Sequence, residues 1–128
     1  MGSDALSRLG DSKYLLVTTF RRDGTPVSTP VWVVRDGDRL LFGSAAQTGK
    51  IKRIRNSGRV ELASCDLRGN PSGDTVKGTA VLLDQGGVTR VRTLLGRKYG
   101  LIGRVTMLGG RIRRGANGTA AVSIDLTP

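Results

Sequence analysis

The densest group of chemically capable side chains in this sequence lies between residues 44 and 60. Within six residues it places four cations, Lys50, Lys52, Arg53 and Arg55. Ammonium and guanidinium groups make strong charge-assisted hydrogen bonds to phosphates and carboxylates. The stretch therefore indicates an anion-binding site.

Several other kinds of chemistry are disfavoured by composition. The chain has no histidine, and Cys65 is its only cysteine. An intrachain disulfide is thus impossible, and most zinc and haem sites lack their usual ligands. Nucleophilic systems that pair serine or cysteine with histidine are also excluded. We predict no metal site, and Cys65 is expected to be a buried strand residue without a chemical role.

The cations are predicted to lie on a short helix. Ile51 and Ile54 are three residues apart, which places both on one helical face and leaves the charges on the others. Thr48 is expected to cap the helix start through its hydroxyl. Gly58 is expected to end the helix at positive φ. A helix start with free amides and a nearby lysine suits an anion.

The rest of the chain predicts a mainly β, α+β fold in a single domain, 1–128. Strands are predicted at 13–21, 27–34, 39–43, 59–66, 74–84 and 119–127, and an Asp-Gly turn joins the first two. Pro30 should confine its strand to an edge or bulge. Helices are predicted at 3–9 and 88–99, with 101–108 either a short helix or an irregular strand. Residues 67–73 and 109–118 are predicted loops. These elements favour a six-stranded antiparallel barrel with two to three short helices.

The charge balance indicates an anionic partner. The net charge is +11, and no acidic residue occurs from Gln85 to Ile124. Nucleic acid is disfavoured, since the chain has only five aromatics and most lie in predicted strands, which leaves little to stack single-stranded bases. No apolar run approaches the ~20 residues of a membrane span, and no signal-peptide core is evident. We expect a cytoplasmic protein.

The order of these motifs resembles the split β-barrel flavin and deazaflavin enzymes related to pyridoxamine 5′-phosphate oxidase. Within that group it is most similar to the actinobacterial branch that uses the deazaflavin coenzyme F420. The resemblance covers nearly the whole chain. The segments that carry it are 23–26 (Asp-Gly-Thr-Pro), 29–33 (Thr-Pro-Val-Trp-Val), 48–56 (Thr-Gly-Lys-Ile-Lys-Arg-Ile-Arg-Asn), 59–60 (Arg-Val), 77–80 (Lys-Gly-Thr-Ala) and 97–101 (Arg-Lys-Tyr-Gly-Leu).

The resemblance implies a homodimer with a cofactor in each interface groove. The ring system would lie along the second strand, the phosphate would meet residues 48–50, and the polyglutamate tail of F420 would follow the remaining helix cations. FMN, which has no such tail, is the alternative cofactor. The implied cofactor-binding residues are Thr29, Pro30, Val31, Trp32, Ser44, Thr48, Gly49, Lys50, Lys52, Arg53 and Arg55.

The implied activity is hydride transfer from reduced F420 to a small conjugated acceptor. The alternatives are an FMN-binding oxidoreductase of the same fold, a non-enzymatic flavin or deazaflavin carrier, and a basic nucleic-acid-binding module. No catalytic residue is assigned. Tyr99 and Lys98 are the nearest candidates for a proton donor, although packing at a helix end is the simpler explanation for Tyr99. Part of the substrate pocket wall is expected from residues 101–114.

Overall fold

The computed structural model describes the backbone of residues 2–114 and 118–127 and the side chains of residues 4–100 and 118–127. Three helices and seven strands are formed within these ranges. In chain order they are α1 (Gly2–Gly10), β1 (Tyr14–Phe20), β2 (Pro26–Val31), β3 (Val34–Asp36), β4 (Arg39–Ala45), α2 (Gly49–Asn56), β5 (Arg59–Cys65), β6 (Pro71–Leu82), α3 (Gln85–Arg114) and β7 (Thr119–Leu126).

The strands form one antiparallel sheet that closes on itself. Their order is β2-β1-β5-β6-β7-β4-β3, so the two outermost strands are consecutive in the chain. Only Trp32 and Val33 separate β2 from β3. A single bent segment therefore pairs with β1 at one edge and with β4 at the other, and the result is a split barrel. The predicted fold class is confirmed, and the seventh strand arises because the predicted strand 27–34 bends.

Pro30 lies on the edge strand β2, which suits a residue that has no backbone N–H to donate. It is the residue opposite Leu16 in the β1–β2 ladder, and β2 has no strand on its other side. Proline cannot donate to a second ladder, so an edge is where it fits. The prediction that Pro30 marks an edge is confirmed.

The barrel interior is filled by alternate side chains of the strands together with residues of α1 and α2. Helix α1 contacts β3, β4 and β5, and α2 contacts β1 and β6, so both helices add apolar side chains to one core. The members of this core that are no more than 1% exposed are Leu9, Leu15, Val17, Val33, Leu40, Phe42, Ile51, Val60, Leu62, Val122 and Ile124.

A second, smaller core lies between α3 and strands β3, β4 and β7. Val88, Val91 and Leu95 are buried there, and Leu94 is partly buried, which confirms the predicted inner face of this helix. The backbone leaves helical conformation at Gly100, where φ is 67° and ψ is −145°, so α3 consists of two helical segments that meet at this residue. Glycine adopts this left-handed φ without the steric cost that a Cβ would add.

The second segment of α3 continues to Arg114, so the predicted loop over 109–118 was wrong up to that residue. The prediction rested on glycine, which costs about 1 kcal/mol per residue in a helix, while the intervening arginines are good helix formers. Residues 115–117 lie outside the described residues. Residues 101–108 are helical, which decides between the two predicted alternatives.

Two other predicted boundaries differ from the structure. Gly58 does not end α2 at positive φ, because the helix ends through Ser57 in an extended conformation. A Cβ on Gly58 would lie 2.7 Å from the carbonyl oxygen of Ala80, so the glycine permits a close approach between the end of α2 and β6. Strand β6 begins at Pro71, inside the predicted loop 67–73, because Pro71 and Ser72 continue the ladder with β5.

No helix in the described part of the chain is long and apolar enough to cross a membrane.

Candidate functional site

The basic helix α2 is held by its two isoleucines. Ile51 is fully buried and Ile54 is 4% exposed, and both belong to the barrel core. An α-helix turns by about 100° per residue, so Lys52, Arg53 and Asn56 project from the face opposite the isoleucines. Lys50 and Arg55 flank the buried face on opposite sides. The four predicted cations therefore encircle the exposed part of the helix instead of forming one row.

The start of α2 differs from the predicted cap. Thr48 occupies the N-cap position, but its hydroxyl makes no capping bond to the first-turn amides. It donates instead to the carbonyl oxygen of Ala45 at 3.0 Å, and the Ser44 hydroxyl lies 3.3 Å from it. The start of α2 thus has no side-chain cap from Thr48, and the partial positive charge of a helix N-terminus favours an anion there.

Arg53 folds back over this helix start. Its Nε donates a 2.6 Å hydrogen bond to the hydroxyl of Thr19, a residue of β1 that is 1% exposed. A Cβ on Gly49 would lie only 2.7 Å from Nη1 of Arg53. The missing side chain at Gly49 thus gives the guanidinium its place beside the first turn. A fixed guanidinium next to the start of a helix is a favourable seat for a phosphate or carboxylate.

A cavity of about 250 Å³ opens beside Arg53, and we call it the cationic cavity. The ordered β1–β2 turn supplies one side of it, because the Arg21 amide bonds to the Thr25 carbonyl at 2.9 Å. None of the three ion pairs among the described residues involves the cations of this cavity. Its lining residues are Phe20, Arg21, Arg22, Lys52, Arg53 and Asn56.

Arg21 and Arg22 were missed by the sequence analysis. They lie in the turn after β1, about 30 residues before α2 in the chain. Only the packing of α2 against β1 brings them to the helix cations. The available signal was the pair of arginines directly after a strand, next to a tight turn.

The four predicted residues of the second strand divide between two faces. Side chains alternate along a strand, so Thr29 and Val31 share the inner face, where Val31 is 8% exposed and packs in the core. Pro30 and Trp32 share the outer face. The structure therefore brings Trp32 and Pro30 to a surface, while the Val31 side chain is enclosed by protein.

Trp32 forms the wall of a second cavity, of about 450 Å³, which we call the aromatic pocket. The rings of Trp32 and Tyr99 stack with centroids 4.4 Å apart and planes at 8°. Tyr14, at this pocket, and Phe20, at the cationic cavity, are six positions apart along β1, which is a distance of ~20 Å along a strand. The lining residues are Asp11, Lys13, Tyr14, Trp32, Lys98 and Tyr99.

Lys98 and Tyr99 hold the chain together at this end. The Lys98 ammonium donates to the carbonyl oxygens of Gly10, Ser12 and Val33 at 2.7, 2.7 and 2.6 Å. Because an ammonium has three N–H groups, all are used. The Tyr99 hydroxyl donates to the Lys13 carbonyl at 2.7 Å. It also lies 3.2 Å from the Val33 amide, which can donate to it.

These bonds argue against a proton-donor role for either residue. Burial lowers the pKa of Lys98, although the nearby Asp11 charge acts in the opposite direction. Burial also raises the pKa of Tyr99, which keeps its hydroxyl neutral. Both side chains are engaged with backbone groups, so their evident task is to fix the bend between β2 and β3.

Among the described residues, no group of three or more Cys, Asp or Glu side chains could hold a metal ion.

Comparisons with solved structures agree with this fold. A conserved hypothetical protein from Mycobacterium tuberculosis has a TM-score of 0.74 at 17% identity, covering 98% of this chain and 80% of the other. A protein described as an F420 reductase has a TM-score of 0.59 at 18% identity, covering 95% and 93%. A haem-storage protein from Vibrio cholerae has a TM-score of 0.67 at 11% identity, covering 98% and 88%. At these identities the likeness extends to the fold alone.

Family membership follows from a sequence profile. A comparison with curated proteins finds no match. The profile described as pyridoxamine 5′-phosphate oxidase, however, matches residues 4–125, from within α1 almost to the end of β7. The chain therefore belongs to the pyridoxamine 5′-phosphate oxidase family.

Proposed function

We propose that the protein is an oxidoreductase that uses coenzyme F420 to reduce a small conjugated acceptor. The cationic cavity is the observation that carries this proposal. Arg21, Arg22, Lys52 and Arg53 converge there without an ion-pair partner among the described residues. The nearby carboxylate of Asp23 accepts the Thr25 amide within its own turn at 2.9 Å.

The cavity fits the two anionic parts of F420. Its phosphate matches the helix start, where Arg53 stands beside Gly49 and the first-turn amides. Its polyglutamate tail carries several carboxylates, and arginines on both the β1–β2 turn and α2 can bond to them in bidentate fashion. When bound, the reduced deazaflavin supplies a hydride. The protein's own residues hold the charged end of the coenzyme and leave its ring free to extend along β2.

FMN is the second candidate cofactor, and one observation favours it. The Arg53 seat at the start of α2 suits any phosphate, including the single phosphate of FMN. FMN would leave Arg21 and Arg22 without an evident anion to bind, whereas the tail of F420 would engage them. The F420 proposal therefore accounts for more of the cavity.

Direct titration separates the two cofactors. Purified protein is titrated with F420 and with FMN by calorimetry, and F420 is expected to bind more tightly. Arg53→Ala and Lys50→Ala are each expected to weaken F420 binding by about 1–3 kcal/mol, the scale of a lost charge-assisted bond. Lys77→Ala, which removes an exposed lysine of β6, is the matched control and should leave affinity unchanged. Tight binding of FMN with none of F420 would overturn the proposal.

Turnover distinguishes an enzyme from a carrier. Reduced F420 is mixed with the protein and a panel of quinones and other conjugated carbonyl compounds, and reoxidation is followed by the coenzyme's visible absorption. Acceptor-dependent reoxidation is expected. Tight coenzyme binding without turnover on any acceptor class would instead favour a carrier, a role compatible with the haem-storage protein that shares this fold.

We also propose a homodimer in which a second copy covers the outer face of β1 and β2. Leu16 and Pro30 are only half-buried on this face, and a nearby loop exposes 68% of Leu67. Light scattering coupled to gel filtration is expected to give twice the mass of the chain. Leu67→Asp should shift the protein toward monomer, and a monomeric wild-type protein would contradict this part of the proposal.

A further inference from the structure

The aromatic pocket concentrates the ring side chains of the protein. The chain has five aromatic residues, and Tyr14, Trp32 and Tyr99 line this one pocket. The ladder explains how two of them meet: Leu15 pairs with Val31, so Tyr14 and Trp32 are the next residues along the two strands. Since Leu15 and Val31 are buried, alternation turns Tyr14 and Trp32 to the outer face.

The pocket wall is fixed before any ligand arrives. Tyr99 stacks on Trp32 and is held by backbone bonds to Lys13 and Val33. Lys98 anchors the same turn of α3 through its three carbonyl acceptors. A rigid aromatic wall loses little conformational entropy when a ligand packs on it, which favours binding. These bonds also engage the polar tips of Lys98 and Tyr99, so what faces the pocket is mainly ring and aliphatic surface.

The charged rim of the pocket limits what it can accept. Lys13 is exposed, and its ammonium lies 5.8 Å from the centre of the Tyr14 ring. Asp11 stands at the same rim, so among the described lining residues an acidic side chain accompanies the two lysines. Together with the mainly aromatic and aliphatic lining, this rim favours a largely apolar ligand with one oxygen at its edge.

We propose that the aromatic pocket binds a planar conjugated ring compound that carries a carbonyl or carboxylate oxygen at its edge. Its ring stacks against the wall formed by Tyr14 and Trp32, and its oxygen accepts a hydrogen bond from Lys13. The volume of about 450 Å³ lies in the range of small-molecule sites. Stacking on aromatic side chains favours flat ligands over saturated ones of equal size.

The identity of this compound as the hydride acceptor rests on the proposed function, but its binding does not. In that role, a hydride from the reduced coenzyme adds to a conjugated carbon of the compound, and a proton from water adds to its oxygen. The coenzyme is oxidised by two electrons and the compound is reduced by two. Trp32, which lies directly after β2, would place the compound at the end of the strand along which the coenzyme ring is proposed to lie.

The test measures binding to the full chain without any coenzyme. Trp32 is the only tryptophan, so its fluorescence reports on this pocket alone. Anthraquinone-2-carboxylate serves as the planar probe and perhydroanthracene-2-carboxylate, a saturated tricyclic acid of similar size, as the control, with calorimetry as a second readout. We expect saturable quenching and heat release with the planar acid and neither signal with the saturated one. Equal affinity for both acids, or no saturable binding of the planar acid, would overturn the proposal.

Variants locate the probe. Tyr14→Leu keeps an apolar side chain but removes the ring, and should weaken binding of the planar acid about 3- to 10-fold. Tyr14→Phe should restore it. Lys13→Gln should weaken binding about 2- to 5-fold, as expected for an exposed charge pair, and Lys77→Gln is its matched control. Unchanged affinity in both Tyr14→Leu and Lys13→Gln would overturn the assignment.

The outcomes separate this proposal from the proposed function. Because Lys13→Gln alters only an exposed side chain, it remains informative if Tyr14→Leu proves unstable. Failure to bind F420 would leave the binding of the planar acid untouched. Conversely, loss of the aromatic-pocket assignment would leave the coenzyme titrations of the cationic cavity as they stand.

Discussion

The two ends of the β1–β2 ladder satisfy their polar groups in opposite ways. At the cationic cavity, Arg21, Arg22 and Lys52 reach no carboxylate within ion-pair distance among the described residues. At the aromatic pocket, the ammonium of Lys98 and the hydroxyl of Tyr99 are both bonded to the backbone. The cationic cavity therefore offers charged side chains to a ligand, whereas the aromatic pocket offers ring faces.

This difference indicates how the two ends contribute to stability. Like charges on neighbouring turns of α2 repel one another, so the helix depends on Ile51 and Ile54 for its attachment. The aromatic end gains stability from the same polar groups that shape its pocket. Mutations of charged residues should therefore have little effect on folding at the first end and a substantial effect at the second.

The largest expected effect comes from the apolar attachment of α2. Ile51→Ala removes a fully buried side chain and should lower the free energy of unfolding by about 2–5 kcal/mol. Lys52→Ala, on the exposed face of the same helix, should change it by no more than about 0.5 kcal/mol. Urea unfolding of both variants provides the measurement. Similar losses in the two variants would mean that the cations stabilise the helix, which would contradict the conclusion that Ile51 and Ile54 attach it.

The Lys98 anchor should give the next largest effect. Lys98→Met keeps most of the apolar stem but leaves three carbonyl oxygens without their donor, and we expect a loss of about 1–3 kcal/mol in unfolding free energy. Trp32 emission should also shift, since the adjacent Tyr99 stack is loosened. The matched variant Arg97→Met, at an exposed neighbouring position, should alter neither property. A fully stable Lys98→Met protein would show that the three bonds contribute nothing net.

Gly49 tests the geometry of the cationic cavity. In Gly49→Ala, the new Cβ meets Nη1 of Arg53, and the flexible guanidinium must move away from the helix start. We expect F420 affinity to fall by about 1 kcal/mol, on the scale of one hydrogen bond, while stability is kept because alanine is the better helix former. Calorimetric titration measures the affinity. In an Arg53→Ala background, Gly49→Ala should have no further effect, and additive losses would argue against this coupling.

Much of the fold was predictable because apolar periodicity reflects burial directly. The spacing of Ile51 and Ile54 placed them in the core, and Val88, Val91 and Leu95 were identified in the same way. Local rules failed where tertiary contacts decide the backbone. Gly58, for example, serves close packing against β6 instead of a left-handed helix end.

The candidate sites were only half predictable, since both depend on contacts between distant residues. The helix cations were evident as a cluster in sequence. Their convergence with Arg21 depends on how α2 packs across β1, which no local pattern encodes. The stack of Trp32 on Tyr99 joins residues 67 positions apart and similarly requires the β2–β3 bend and the docking of α3. The prediction that Thr29 to Trp32 hold a cofactor ring remains a prediction.

The smallest expected effect is a change in the stability of the aromatic end at acidic pH. Arg90 donates two hydrogen bonds to Asp36, at 3.0 and 2.8 Å, and so joins α3 to β3. These bonds hold the pKa of Asp36 below its ordinary value. A carboxyl whose pKa is lower in the folded protein stabilises it above the unfolded pKa of about 3.9, and this contribution disappears as pH falls through the folded value.

Asp36→Asn should therefore cause a small loss of stability at neutral pH and none at strongly acidic pH, where the wild-type carboxyl is also protonated. Unfolding is followed by Trp32 emission from pH 7 down to pH ~2, a range that spans the ordinary carboxyl pKa. Asp38→Asn, an exposed aspartate two residues further in the same turn, is the matched control. If the two variants shift the acid transition equally, the Arg90 pair does not stabilise this end, and the aromatic pocket depends on Lys98 and Tyr99 for its polar anchoring.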